Sequence, residues 1–305
     1  MATSIQIRVP ATSANCGAGF DTLGLACTMY NHFTYEIINK GFYLDITGEG
    51  AEKLKANRYN LAILSFLKLW NIHSNKKIGL KVKMNNVIPL SRGLGSSSSA
   101  IVAGLTAANY LTGNKFSKYE LLNLATEIEG HPDNVAPAIF GGITVSYMNN
   151  SKADTLRFLP AKPFTLLAVI PDLTLPTKIA RQVLPSKVEY TDAIFNISRS
   201  SLFTAALLTG DFSHISAALE DRLHQPYRLH LIPGAKKAII AAKKNGAYNA
   251  VISGAGSTLM AYIPADCATE RIAQAMQEAL LLEKTTSSIV VLELDTKGAQ
   301  VLSTS

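Results

Sequence analysis

The chain has 305 residues, about twice the usual length of one domain, so two packed domains are expected. Hydrophobic residues make up 48% and charged residues 17%, with 20 glycines and 12 prolines, which excludes a disordered, collagen-like or low-complexity chain. The formal charge is +7, an excess that suits nucleic acid, a membrane surface or a small anionic substrate.

In chain order, IQIRVP (5–10) alternates as a strand and is expected to break at Pro10. HFTYEII (32–38) and FYLDIT (42–47) are β-rich runs on either side of Gly41. Residues 60–72 have apolar positions at helical spacing, with Asn60 as N-cap and Trp70 in the core-facing stripe. Residues 78–89 alternate as a strand, 96–111 form a small-residue helix, and a further helix is expected from Asn114 through Leu124. A strand at 142–148 precedes the polar stretch 148–155, which is read as the boundary between domains 1–155 and 156–305. The second half opens with a strand at 164–171. Helices are expected at 191–209, 211–223 and 234–245, then strand, glycine turn and strand over 251–263. A helix at 268–282 and a strand at 287–294 close the chain. Strands and helices mix without strict βαβ alternation, so the fold class is α+β.

The densest basic run, Lys236, Lys237, Lys243 and Lys244, falls largely on one side of a helix with no interleaved aromatics, which reads as a solvated face. No nucleic-acid partner is expected. Cys16, Cys27 and Cys267 show neither zinc nor disulfide spacing, which points to a reducing compartment. No charged segment followed by an apolar core opens the chain, and no uncharged apolar run reaches the roughly 18 residues a span needs. A soluble cytoplasmic protein with no membrane partner is the expectation.

The most unusual segment is PLSRGLGSSSSA, 89–100. Gly93 and Gly95 permit backbone geometries and close approaches denied to other residues. Four serines, Ser96, Ser97, Ser98 and Ser99, then open a helix, so free N–H groups and the positive end of the helix dipole face whatever sits above the loop. A phosphate is the natural occupant, and Arg92 could add a full positive charge. The segment is not a Walker A loop, since no lysine follows the second glycine, and it lacks the third glycine of a dinucleotide fingerprint.

PLSRGLGSSSSA resembles the second motif of the GHMP kinases, a superfamily of small-molecule kinases. PATSANCGAGFDTLG (10–24) resembles the first motif in the form found in homoserine kinases, and ISGAGSTLMAYI (252–263) resembles the glycine-rich third motif. With EGHPDNVAPAIFGG (129–142), these stretches span almost the whole chain. The resemblance implies a two-domain fold, an N-terminal ribosomal-protein-like domain followed by a C-terminal ferredoxin-like α/β sandwich domain. It also implies phosphorylation of the side-chain hydroxyl of L-homoserine by ATP with Mg2+, on the way to threonine, by a homodimer.

The same resemblance assigns residues. Pro89, Leu90, Ser91, Arg92, Gly93, Leu94, Gly95 and the four serines would cradle ATP, with Ser97 and Glu127 as the magnesium ligands. Ser96 and Ser98 flank Ser97, and Glu129 competes with Glu127, because the two glutamates point about 200° apart on a helix and at most one should face the site. Asn15, Asp21, His131, Asn134, Thr177, Arg181, Arg228 and Gly254 would seat the amino acid, with Arg222 as a competitor to Arg228. The candidate catalytic residues are Asn134, Asp133 and Arg181, Asn134 holding the acceptor hydroxyl and Asp133 acting as support or alternative base. Gly254 and Gly256 would let the third motif pack on the phosphate loop. A mevalonate- or shikimate-type kinase and a non-catalytic ligand-binding protein on the same fold are the competing readings.

Overall fold

The computed structural model describes residues 3–55, 60–74 and 76–304. The first half runs β1 (Ser4–Ala14), β2 (Leu23–Ile38), β3 (Phe42–Gly48), α1 (Ala51–Lys55), α2 (Leu61–His73), β4 (Gly79–Asn86) and α3 (Ser96–Leu111). It continues with α4 (Lys118–Glu129), α5 (Pro132–Phe140), β5 (Ile143–Asn149) and β6 (Lys152–Phe158). The second half contains β7 (Phe164–Pro171), α6 (Thr177–Gln182), α7 (Tyr190–Thr209), α8 (Ile215–Ala218) and α9 (Gln225–Arg228). After these come α10 (Ala235–Lys244), β8 (Asn249–Ile252), β9 (Leu259–Pro264), α11 (Thr269–Leu281), β10 (Ser287–Leu292) and β11 (Gln300–Thr304).

The strands form two sheets. The larger has seven strands in the order β11-β1-β2-β4-β3, with β5 pairing the start of β2 and β6 pairing β5. Its inner face is set by the two-residue period of β1, which buries Ile5, Ile7 and Val9 together. Pro10 does not end β1. A register shift at Pro10/Ala11 absorbs the missing N–H, and the strand continues to Ala14 beside Gly24 of β2. Asn60 caps α2 as the sequence implies, accepting from the Ala62 N–H at 2.9 Å. Tyr35, Phe66 and Trp70 then stack at centroid distances of 5.5 and 5.8 Å. Gly104 of α3 lets α2 approach closely, since a Cβ there would lie 2.6 Å from the Ala62 carbonyl oxygen.

The smaller sheet has the order β10-β7-β9-β8, antiparallel throughout. Its one face is covered by α10 and α11, whose Ala238, Ala242, Ile272 and Met276 join the core with Leu167 and Val169. A shared core joins the opposite face to the first half: Leu166, Ala168 and Tyr262 meet Leu25, Ile88 and Leu94, with Phe203 of α7 beside them. The architecture is therefore α+β in two halves, each with a core of its own and a third cluster that both contribute to. The expected division after residue 155 falls inside β6, because 148–155 forms the β5–β6 hairpin, and β11 returns to pair with β1.

Two expected helices begin or end elsewhere. The one expected from Asn114 starts at Lys118, where Ser117 and Glu120 form a reciprocal capping box. The helix expected over 211–223 is a 3-10 turn running into the short α8, which ends at Ala218; beyond it the Asp221 carboxylate takes the N–H groups of Leu223, His224 and Gln225 at 3.0, 3.0 and 2.6 Å and so starts α9. Among the described residues, no helix is long and apolar enough to cross a membrane.

The aromatic stack is expected to dominate the stability of the first half. Phe66→Ala should cost about 3–5 kcal/mol in urea unfolding, the range for a fully buried aromatic. Tyr190→Ala, at a side chain 81% exposed, should stay within about 0.5 kcal/mol.

Candidate active site

The phosphate loop is fixed by what it touches. Gly93 and Gly95 have φ of +80° and +70°, and a Cβ would lie 2.1 Å from the Ser253 carbonyl oxygen at the first and 2.0 Å from Thr12 Oγ1 at the second. The main chain is held at each step: Leu175 N–H donates to the Ser91 carbonyl at 3.0 Å, Thr258 N–H to Arg92 at 3.0 Å, and Thr12 N–H to Leu94 at 3.1 Å. Ser253 donates its hydroxyl to the Gly93 carbonyl at 2.6 Å. Asn31, buried in β2, accepts from the N–H groups of Val87 and Ile88 and donates to Ser99 Oγ at 3.0 Å. Glycine at the N-cap supplies no side-chain cap to α3, and its first backbone bond runs from Ser99 N–H to Gly95. The first amides of α3, from Ser96 to Ser98, are therefore left without helix partners, and of these residues Ser96 and Ser97 face the cavity above the loop.

Above the loop lies a cavity of about 390 Å³. Residues Pro89 to Ser97 line it, whereas Ser98 and Ser99 turn into the protein and are buried. Leu54, Leu61, Met84 and Leu90 make one end apolar. The other end gathers Asn15, Asp21, His131, Asp133, Asn134, Thr177, Arg181, Arg228 and Gly254, every residue expected to seat the amino acid.

The surroundings of four expected positions differ from the sequence reading: the glutamate pair, Arg92, Asn15 and Arg222. Glu127 pairs with Lys68 at 2.8 Å and is 68% exposed, away from the cavity. Glu129, the competing candidate, is the one that faces the loop, accepting from Ser97 Oγ at 2.7 Å and Ser98 Oγ at 3.0 Å. The helical offset between the two glutamates decides this, since α4 turns only one of them toward α3. Arg92 gives its charge to Asp172 at 2.8 Å and to the Pro171 carbonyl, so it anchors the loop to the end of β7. Asn15 lines the cavity, but both ends of its amide are engaged: Oδ1 accepts from Asp21 N–H at 3.1 Å, and Nδ2 donates to the Gly254 carbonyl at 2.8 Å. Arg222 pairs with Asp192 at 3.2 Å and does not line the cavity.

At the polar end, Arg181 holds Asp21 with two parallel bonds of 3.0 and 2.6 Å, which raises its own pKa. Arg228 is only 2% exposed and donates to the carbonyls of Ala180 and Gly254 at 3.0 and 3.1 Å. Burial, followed by repulsion from Arg181, lowers its pKa to about 10. His131 Nδ1 lies 2.5 Å from Asp133 Oδ1. Burial opposes its charged form, but the hydrogen bond and charge of Asp133 outweigh this and raise its pKa. Asn134 donates to Asp133 Oδ1 at 3.3 Å and accepts from Thr12 Oγ1 at 2.8 Å.

Phe20, not singled out from the sequence, underlies this end. Its ring stacks on His224 at 5.1 Å, and the guanidinium carbons of Arg228 and Arg181 lie 5.0 and 5.5 Å from its centroid. Phe20 and Thr12 both stand within the first motif and could have been flagged there. Asn31 and His224 carry no signal of their own.

The family model described as GHMP kinases N terminal domain matches residues 59–142, and that described as GHMP kinases C terminal matches 203–281. A homoserine kinase of Synechococcus sp. is 45% identical over 275 residues, 89% of each chain. A homoserine kinase of Carboxydothermus hydrogenoformans is 39% identical over 97% of this chain and 96% of its own. The chain belongs to the homoserine kinases of the GHMP kinase family. The crystal structure of a homoserine kinase from Cytophaga hutchinsonii superposes with a TM-score of 0.90 at 30% identity, covering 99% of this chain and 98% of that one. The chain is accordingly an ATP-dependent kinase that acts on a hydroxyl group.

The loop should tolerate no side chain at its glycines. Gly93→Ala is expected to lower the melting temperature by several degrees, about 1–3 kcal/mol, because both φ and the Ser253 carbonyl oppose it. Gly113→Ala tests the φ penalty alone, since its φ is also positive and no atom lies within 4 Å of the added Cβ.

Proposed function

We propose that this chain transfers the γ-phosphoryl group of ATP to the side-chain hydroxyl of L-homoserine, giving O-phospho-L-homoserine for threonine biosynthesis. The observation that carries the reading is one cavity with exposed loop amides beside a seat holding charges of both signs. Asp21 and Asp133 offer oxygens to an ammonium, while Arg181, Arg228 and His131 offer N–H groups to a carboxylate. Mevalonate and shikimate bring a carboxylate without an ammonium, and galactose brings neither, so each leaves part of this seat unpaired.

The amides of Ser96 and Ser97 hold the phosphates, and the apolar end around Leu61 and Met84 takes the base. Ser97 Oγ and the partly buried Glu129 carboxylate are hard oxygen donors 2.7 Å apart at the loop, a set that suits magnesium with its preference for few protein ligands. Bound there, the ion would neutralise charge on the triphosphate. Asn134 holds the acceptor hydroxyl in line, and Asp133, tied to His131, supports Asn134. Arg181 sits where it can both bind the amino acid and add positive charge to the transfer site. With a loose transition state, little proton removal is needed beforehand, so positioning does most of the work. The three cysteines are free thiols, in keeping with the reducing cytoplasm we assign to the enzyme.

Release of ADP in a coupled assay with homoserine, mevalonate, shikimate and galactose tests the substrate. Turnover should be confined to homoserine, and faster turnover with any of the other three would refute the reading. Glu129→Gln and Ser97→Ala should each cut kcat, with part of the loss recovered at higher magnesium, whereas Glu127→Gln should stay within about twofold of the parent. Arg181→Ala should raise the KM for homoserine by about tenfold or more, the cost of a charged hydrogen-bonded pair, and leave the KM for ATP nearly unchanged.

A further inference from the structure

Thr12 is completely buried in β1, and no family role is assigned to it above. Its three contacts nevertheless reach both halves of the reaction. The N–H donates to the Leu94 carbonyl of the phosphate loop at 3.1 Å. The hydroxyl donates to Asn134 Oδ1 at 2.8 Å. The same hydroxyl occupies the space that a side chain at residue 95 would need, 2.0 Å from where its Cβ would stand.

The network also fixes which way the Asn134 amide faces. A carboxylate only accepts hydrogen bonds, so the amide nitrogen must be the end 3.3 Å from Asp133 Oδ1. The carbonyl end is then left to Thr12, which has a hydroxyl proton to give. Without that proton, the oxygen of Asn134 would face an apolar wall, and the amide would gain by turning or shifting.

We infer that Thr12 is a positioning residue that ties the phosphate loop to the Asn134 amide, so that Asn134 meets the acceptor hydroxyl with its N–H and not its carbonyl. The inference rests on the proposed contact between Asn134 and that hydroxyl. It makes the distance between the phosphate cradle and the acceptor contact depend on one methyl-bearing alcohol. It also means that the acceptor's proton leaves to a group other than Asn134.

The test compares Thr12→Val, which keeps the shape and removes the hydroxyl, with Thr12→Ser, which keeps the hydroxyl. Both are measured beside Asn134→Ala and the Thr12→Val/Asn134→Ala double variant. Thr12→Val should lower kcat by about tenfold to a hundredfold, as misplacement of a reacting contact does, with both KM values within about twofold. Thr12→Ser should recover most of the loss, and the double variant should be no slower than Asn134→Ala. Unchanged kcat in Thr12→Val, no recovery in Thr12→Ser, or losses that multiply would each overturn the inference while leaving the Asn134 contact standing. Unchanged kcat in Asn134→Ala would instead remove the contact itself, and this inference with it. Should Thr12→Val fail to fold, the side-chain amide NMR signals of Asn134 decide: they should move in Thr12→Ala and hold in Thr12→Ser, and equal positions in both would count against the inference.

Discussion

The contact on which the site depends is the close fit of two glycine turns, one from each half of the chain. The carbonyl of Gly93 accepts from Ser253 Oγ, the carbonyl of Ser253 fills the space where a Gly93 side chain would project, and Gly254 N–H reaches back to Ala14. Three segments more than 70 residues apart are therefore locked together with main-chain precision. A loop held this way can leave the first amides of α3 without protein partners, because its conformation is maintained from behind and not by the ligand. Preorganisation of this kind is what phosphoryl transfer asks of a protein that contributes little covalent chemistry.

The seat for the amino acid is built on a similar economy of contacts. Two arginines that would repel each other are kept close because Asp21 grips one, backbone carbonyls hold the other, and the ring of Phe20 lies against both. His224 backs the ring, and its Nε2 lies 2.8 Å from the Gly17 carbonyl. Asp221 in turn gathers the N–H groups that set the start of α9, from which Arg228 projects. The broken helix over 211–223 is thus the feature that delivers an arginine to the cavity.

Much of this was legible before the structure. The helix at 96–111, the strand at 164–171 and the Asn60 cap follow from local chemistry and appear where the pattern puts them. The motif residues gather in one cavity because each motif marks a place where backbone must approach backbone or a ligand. What escaped reading has a common cause, which is dependence on distant partners. Pro10 reads as a stop until a neighbouring strand offers a bulge, and 148–155 reads as a linker until it is seen to close a hairpin. Glu127 and Glu129 are equivalent in sequence, and only the packing of α4 on α3 and Lys68 separates them. Strand β11 is mostly exposed and lacks a buried period, so its pairing with β1 could not be anticipated.

A crystal structure with a non-hydrolysable ATP analogue and L-homoserine bound together bears most directly on the account. The triphosphate should lie on the amides of Ser96 and Ser97, with the amino acid between Asp21, Arg181 and Arg228 and its hydroxyl within hydrogen-bond reach of Asn134. Phosphates bound away from the Gly93–Ser98 turn, or an amino acid lodged outside the Asp21–Arg181 end of the cavity, would contradict it.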